Sequence, residues 1–199
     1  MPDRETSDAV RVGPEEVRAL AESERSFWLL SLLVQAAFVF TSGVYVIFGA
    51  AYRFLLRAEP AFNPDEKLVP ILTGVLAAVA GLAVLGAFLL RPRLWREVAK
   101  VAGRSPADLT AADRYTRAVS PANPLGHSML LFLKCSLVVL VLADVPGICG
   151  LVFFLLEGNF AALVVGCAFS ILAKLALLGT RERFIALMEE RLGPRGGAR

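Results

Sequence analysis

Two charged residues, Asp144 and Lys174, lie deep inside stretches of sequence that are otherwise almost entirely apolar. A charged side chain inside an apolar helix is energetically costly, so such residues are usually paired with an opposite charge or serve a function. A carboxylate and an ammonium group can form an ion pair that holds two helices together. An unpaired carboxylate can instead take up and release a proton or bind a cation. The sequence leaves both roles open.

The two residues belong to a predicted helical hairpin made of residues 128–156 and 160–179, joined at Glu157-Gly158-Asn159. At 1.5 Å per residue, Asp144 lies about 18 Å and Lys174 about 21 Å from the turn. Both are therefore expected near the middle of a hydrocarbon layer about 30 Å thick. Antiparallel pairing about the turn places Lys174 opposite the neighbour of Asp144, so the sequence predicts a contact between them.

Small residues accompany the charged pair on both helices of the hairpin. Their recurrence every three or four positions lets two helix backbones approach closely within a membrane. These residues are Ala143, Gly147 and Gly150 on the first helix, and Ala162, Gly166 and Ser170 on the second.

Pro146 interrupts the hydrogen bonding of the first helix, because proline lacks the N–H that would bond the carbonyl of Leu142. We expect the helix to kink beside Asp144. The freed carbonyl is then available to accept a hydrogen bond from Lys174 or from water.

Four long apolar stretches dominate the chain, which has 199 residues and is 56% hydrophobic. Soluble domains are about 45–50% apolar, and a run of about 18 apolar residues is long enough to cross a bilayer as a helix. The stretches are residues 27–51, 68–90, 128–156 and 160–179. They lack the alternation of a membrane β-strand. We therefore predict an all-α polytopic membrane protein, with four transmembrane helices between residues 27 and 180.

The segments outside these spans are short and rich in charge. Residues 1–26 lack the basic start of a signal peptide and contain a predicted helix at residues 14–26. The connection at 91–127 is expected to extend the second span to Ala102 and to hold another helix at residues 105–119. Residues 181–199 should extend the last span to Leu192 and end in a tail. None is long enough to form an independent domain.

Positive charge is distributed unevenly among these segments. Residues 1–26, 91–127 and 181–199 together hold 16 Lys and Arg residues, against three in the two remaining connections. Because basic loops are retained in the cytoplasm, we expect both termini to be cytoplasmic, in a bacterial inner membrane. Topology and contact with anionic lipid then explain the net charge of +3. The chain lacks any module typical of nucleic-acid binding.

Residues suited to catalysis or metal binding are scarce. Cys135, Cys149 and Cys167 lie within apolar stretches and lack the spacing of a metal site, and His127 is the single histidine. The spans contain no Ser/His, histidine-rich or paired-acid pattern. We therefore expect no metal, no cofactor and no enzymatic activity.

The first two spans contain residues that predict further helix contacts. Polar side chains able to hydrogen-bond to other helices occur in the first span: Gln35, Thr41, Ser42 and Tyr45. Small residues at spacing four occur in the second span, Gly74 with Ala78 and Ala77 with Gly81. The small residues predict tight packing against another helix, either of this chain or of a second copy.

The segment from Leu142 to Phe153, LADVPGICGLVF, resembles the carboxylate helix of the proteolipid (c-type) subunits of rotary ATPases. In that family the acid carries a proton or a sodium ion. The resemblance implies this role for Asp144, with Gly150-Leu151-Val152 as the downstream signature. The chain as a whole looks more like the small, uncharacterised four-span proteins of bacterial inner membranes.

Two functions are compatible with these features. The first is a non-enzymatic packing or accessory subunit with a buried Asp144–Lys174 contact. Its partners would be the lipid bilayer and either further copies of the chain, as a homo-oligomer, or a larger membrane complex. The alternative is a proton- or ion-handling membrane subunit in which Asp144 titrates.

Overall fold

The structure, a computed structural model, describes residues 14–55, 68–102 and 124–192. Its helices are α1 (Pro14–Ser23), α2 (Arg25–Ala50, followed by a π-helical turn at Ala51–Leu55), α3 (Val69–Ala102), α4 (Pro124–Glu157), α5 (Phe160–Leu177) and α6 (Arg181–Leu192). Helices α2 to α5 are long and apolar enough to span a membrane. The predicted all-α architecture with four spans is therefore confirmed. The helix predicted at residues 105–119 and the C-terminal tail lie outside the described residues.

Two breaks between helices differ from the prediction, and α4 begins at Pro124, four residues before its predicted start. A turn at Glu24 separates α1 from α2, where the sequence predicted one helix to residue 26. The last span was predicted to continue into the C-terminal helix, and this was wrong, because residues 178–180 separate α5 from α6. The backbone of Leu178 is extended (φ −49°, ψ 133°). The next peptide group, that of Gly179, bonds to a side chain of α2 instead of to its own helix.

The buried face of α2 is polar and its exposed face is apolar. Ser31, Gln35 and Ser42 are almost fully buried, whereas Leu33 and Phe40 are 68% and 73% exposed. A helix on the surface of a water-soluble protein shows the reverse arrangement. The outward apolar faces therefore match hydrocarbon, and the chain is a multi-pass membrane protein.

Helix α4 lies at the centre of the bundle. It packs along α3 on one side and along α5 on the other, and α2 packs on both α4 and α5. Helices α1 and α6 pack together, with an ion pair of 2.5 Å between Arg18 and Glu189. The described helices nearest the two termini thus lie at the same end of the bundle, as the predicted topology requires.

The hairpin of α4 and α5 has the predicted turn and register. Gly158 has a positive φ of 71°, which favours glycine. The side chain of Asn159 accepts a hydrogen bond of 3.2 Å from the amide of Ala162 and so caps α5. Gly166 approaches α4 so closely that an added Cβ would lie 2.6 Å from the carbonyl oxygen of Pro146 and 3.1 Å from Cα of Gly150. This close approach fixes the depth at which side chains of the two helices meet.

Candidate functional site

Asp144 and Lys174 meet between α4 and α5. Nζ of Lys174 donates a hydrogen bond to Oδ1 of Asp144, and the two groups form an ion pair. The side chain of Lys174 is 0% exposed and that of Asp144 is 10% exposed. The contact predicted from the register of the hairpin is confirmed.

The remaining acceptors around Lys174 come from α2. Nζ donates to the carbonyl oxygen of Phe38 at 2.6 Å and to the hydroxyls of Thr41 and Ser42 at 3.0 Å each. An ammonium group has three hydrogens, so four acceptors, with the Asp144 carboxylate included, saturate it. The ion pair of the hairpin is therefore also the attachment point of the first span.

Pro146 frees the carbonyl of Leu142, for which the sequence predicts Lys174 or water as the partner. Lys174 instead donates to groups of α2 and to Asp144, so bonding to water and the kink stay predictions. Helix α4 remains one helix through Pro146. Ser170 of α5 donates a hydrogen bond of 2.9 Å to the carbonyl of Ala143, close to the proline.

The carboxylate of Asp144 is surrounded by hydroxyl groups. The hydroxyl of Tyr45 donates to Oδ2 at 3.0 Å. Those of Ser42 and Ser170 lie 3.3 Å from Oδ1 and 3.1 Å from each other. A serine has one hydroxyl hydrogen, so each serine donates to only one of its neighbours at a time. Three of the four polar residues predicted to bond across helices from α2 therefore converge on this carboxylate, namely Thr41, Ser42 and Tyr45, and the carboxylate joins three helices.

Gln35 of α2 forms a second polar contact. The sequence indicates that Gln35 bonds across helices, but it does not indicate the partner. Its amide nitrogen donates to the carbonyl of Gly179 and to the hydroxyl of Ser31, at 3.0 Å each. Its amide oxygen accepts a bond of 2.7 Å from the Gly179 amide. This pair of bonds holds the extended link between α5 and α6. A backbone partner leaves no signal in the sequence.

The polar centre is suited to holding helices in place. Both oxygens of the carboxylate already accept hydrogen bonds, Oδ1 from Lys174 and Oδ2 from Tyr45. In the part of the chain that the structure describes, His, Cys, Asp and Glu residues form no group of three that could hold a metal ion. Two cavities, of about 490 and 330 Å³, are lined by residues other than Asp144 and Lys174.

The sequence predicts that the small residues of the second span pack either against another helix of this chain or against a second copy. Among the described residues, the structure does not show the first arrangement. A Cβ added to Gly74 or Gly81 would meet no atom within 4 Å, and Ala77 and Ala78 are exposed. Packing against another helix of this chain is therefore wrong for the described residues. Packing against a second copy or another subunit stays a prediction.

Comparison of the chain with models of protein families, with curated protein sequences and with solved structures gives no match. The resemblance of the Asp144 segment to rotary-ATPase proteolipids stays a prediction.

Proposed function

We propose that this protein is a non-enzymatic packing or accessory subunit of a bacterial inner membrane, with both termini in the cytoplasm. The observation that carries the proposal is an uncovered face of α3, made of Gly74, Ala77, Ala78 and Gly81, which we call the α3 face. The ion pair of Asp144 and Lys174 serves to hold the subunit in one shape.

The α3 face has the composition of a helix–helix interface. At 3.6 residues per turn, Gly74, Ala78 and Gly81 point away from Ala87, which is buried against the bundle. Small residues at spacing four allow backbone contact between membrane helices. The face therefore fits a transmembrane helix of another subunit, and a second copy of this chain is the first partner to test.

The polar centre supports a structural role. Every hydrogen of the Lys174 ammonium has an acceptor within the chain, and these acceptors come from two other helices. Removing one charge of a buried ion pair destabilises a protein by more than the intact pair stabilises it, because the other charge is left buried and unpaired. The pair thus favours one arrangement of α2, α4 and α5 over any other.

Photo-crosslinking in intact membranes tests the proposal. A photoreactive amino acid at Ala78 probes the α3 face, and the matched control is Val79, which is also exposed but turned about 100° from Ala78. We expect a discrete protein product from Ala78, at twice the chain's mass for a second copy, and only lipid adducts from Val79. Lipid adducts alone from both positions would overturn the proposal.

The second candidate is a proton- or ion-handling subunit with Asp144 as the titrating group. It is favoured by the run of hydroxyls from Tyr45 through the carboxylate to Ser42 and Ser170. In this case Lys174 must release the carboxylate during function. Labelling of Asp144 at different pH values separates the two candidates.

A further inference from the structure

The cavity of about 330 Å³ lies where α3 meets α6 and is lined by Phe88, Arg91, Pro92, Trp95 and Arg183. Within the described parts of the chain, the polar side chains of this lining are thus two arginines and a tryptophan, which offer two guanidinium groups and an indole N–H. Arg91 is the first charged residue after the apolar stretch of the second span. The cavity therefore lies at the level where a bilayer changes from hydrocarbon to headgroups.

The two arginines crowd positive charge into this place. Both donate to the carbonyl oxygen of Ala176, Arg91 at 3.3 Å and Arg183 at 3.1 Å. Among the described residues, neither forms an ion pair with a carboxylate. Like charges that share one acceptor repel each other, so an anion between them would relieve the repulsion.

Unused hydrogen-bond donors accompany this charge. Nε of Arg91 and Nε1 of Trp95 are buried and have no hydrogen-bond partner among the residues that the structure describes. Buried N–H groups are normally bonded, and leaving one unbonded is costly. The guanidinium of Arg91 lies over the Trp95 ring, 4.2 Å from its centroid, so this stacking fixes the orientation of the arginine.

We propose that this cavity binds one phosphate-class oxyanion, supplied by the phosphodiester of an anionic phospholipid. Guanidinium groups match phosphate oxygens through paired hydrogen bonds, and basic pockets at the cytoplasmic ends of membrane helices suit anionic headgroups. Phe88 and Leu89 are 44% and 59% exposed, and they offer an apolar surface for the acyl chains beside the site. A soluble phosphate shares the headgroup chemistry but not these apolar contacts. The site does not depend on the proposed accessory function.

Lipid titration of the purified, delipidated full-length protein tests this site. Phosphatidylglycerol, phosphatidylcholine and inorganic phosphate are added separately at constant ionic strength. Native mass spectrometry counts bound molecules, and tryptophan fluorescence of Trp28→Phe, in which Trp95 is the one remaining tryptophan, reports on the ring beneath Arg91. We expect one tightly held phosphatidylglycerol. Binding of inorganic phosphate alone would identify a soluble anion as the source, and would overturn the phospholipid assignment.

Paired substitutions separate the site from general charge attraction. R91Q/R183Q removes the two cavity arginines, and R93Q/R96Q removes two exposed arginines at the same end of α3. We expect the Kd for phosphatidylglycerol to rise about tenfold or more in the first variant, through loss of charge-assisted hydrogen bonds, and to stay within about twofold in the second. Equal weakening in both would overturn the proposal. The proposal would also be overturned if the wild-type protein bound neither phosphatidylglycerol nor phosphate more tightly than phosphatidylcholine. This comparison uses the wild-type protein alone and does not require any variant to fold.

Discussion

Replacing Lys174 by methionine is expected to destabilise the folded protein by about 3–5 kcal/mol, because it leaves a buried carboxylate without its counter-charge. Methionine keeps most of the length and the apolar stem of lysine, so packing is largely preserved. Three hydrogen bonds, at about 0.6 kcal/mol each within a membrane, account for about 2 kcal/mol of this loss. The unpaired charge of Asp144 accounts for the remainder.

A double-mutant cycle isolates the coupling between the two charges. Asp144→Asn combined with Lys174→Met removes both charges, so we expect a loss of only about 1–2 kcal/mol relative to wild type. The reversed pair, Asp144→Lys with Lys174→Asp, is expected to rescue less. It would place a carboxylate against the carbonyl oxygen of Phe38, which can only accept a hydrogen bond, and would remove the carboxylate to which Tyr45 now donates.

These free energies are measured by reversible unfolding in mixed micelles at increasing SDS, with steric trapping used to detect the unfolded state. We expect the double variant to be more stable than Lys174→Met alone. If the two single losses add without any coupling, or if Lys174→Met costs less than about 1 kcal/mol, the ion pair does not hold the helices together.

Two further substitutions, one of them with a matched control, test other contacts between the helices. Gly166→Ala should destabilise the folded protein by about 1–3 kcal/mol, since its Cβ would lie 2.6 Å from a carbonyl oxygen of α4. The control Gly74→Ala, whose Cβ would meet no atom within 4 Å, should be neutral or slightly stabilising in the same unfolding assay. Gln35→Leu should destabilise the protein by about 2–3 kcal/mol, because it leaves the buried amide and carbonyl of Gly179 unpaired. Hydrogen exchange should become faster at residues 178–180. Unchanged exchange there would contradict the role given to Gln35.

The hairpin and its charged pair could be predicted because both depend on distances along the chain. Apolar length fixes the spans, and a turn at Gly158 fixes which residues of two adjoining helices lie at one depth. The contact of Asp144 with Lys174 follows from counting outward from that turn. No further structural knowledge is required.

For α2, the sequence predicts that polar side chains bond to other helices, but it does not predict which groups they bond to. The sequence shows that Ser42 and Tyr45 are polar groups in an apolar span, but the rotation of α2 about its axis depends on its packing against α4 and α5. The contact of Gln35 with Gly179 is beyond sequence reasoning, because a backbone group is its partner. The meeting of Arg91 and Arg183 depends on how α6 turns back after the break at residue 178, and we had predicted no break there.

We propose that Lys174 holds Asp144 as an ionised, structural partner. Labelling of the membrane-embedded protein with a hydrophobic carbodiimide, which attacks protonated carboxyl groups in lipid, tests this proposal when it is read at Asp144 by peptide mass spectrometry across pH. We expect no labelling at any pH where the wild-type protein stays folded, and labelling in Lys174→Met, which shows that the reagent reaches the site. Labelling of the wild type near neutral pH, lost as pH rises or blocked by sodium, would contradict the claim. Asp144 would then be the exchangeable site of an ion-handling subunit.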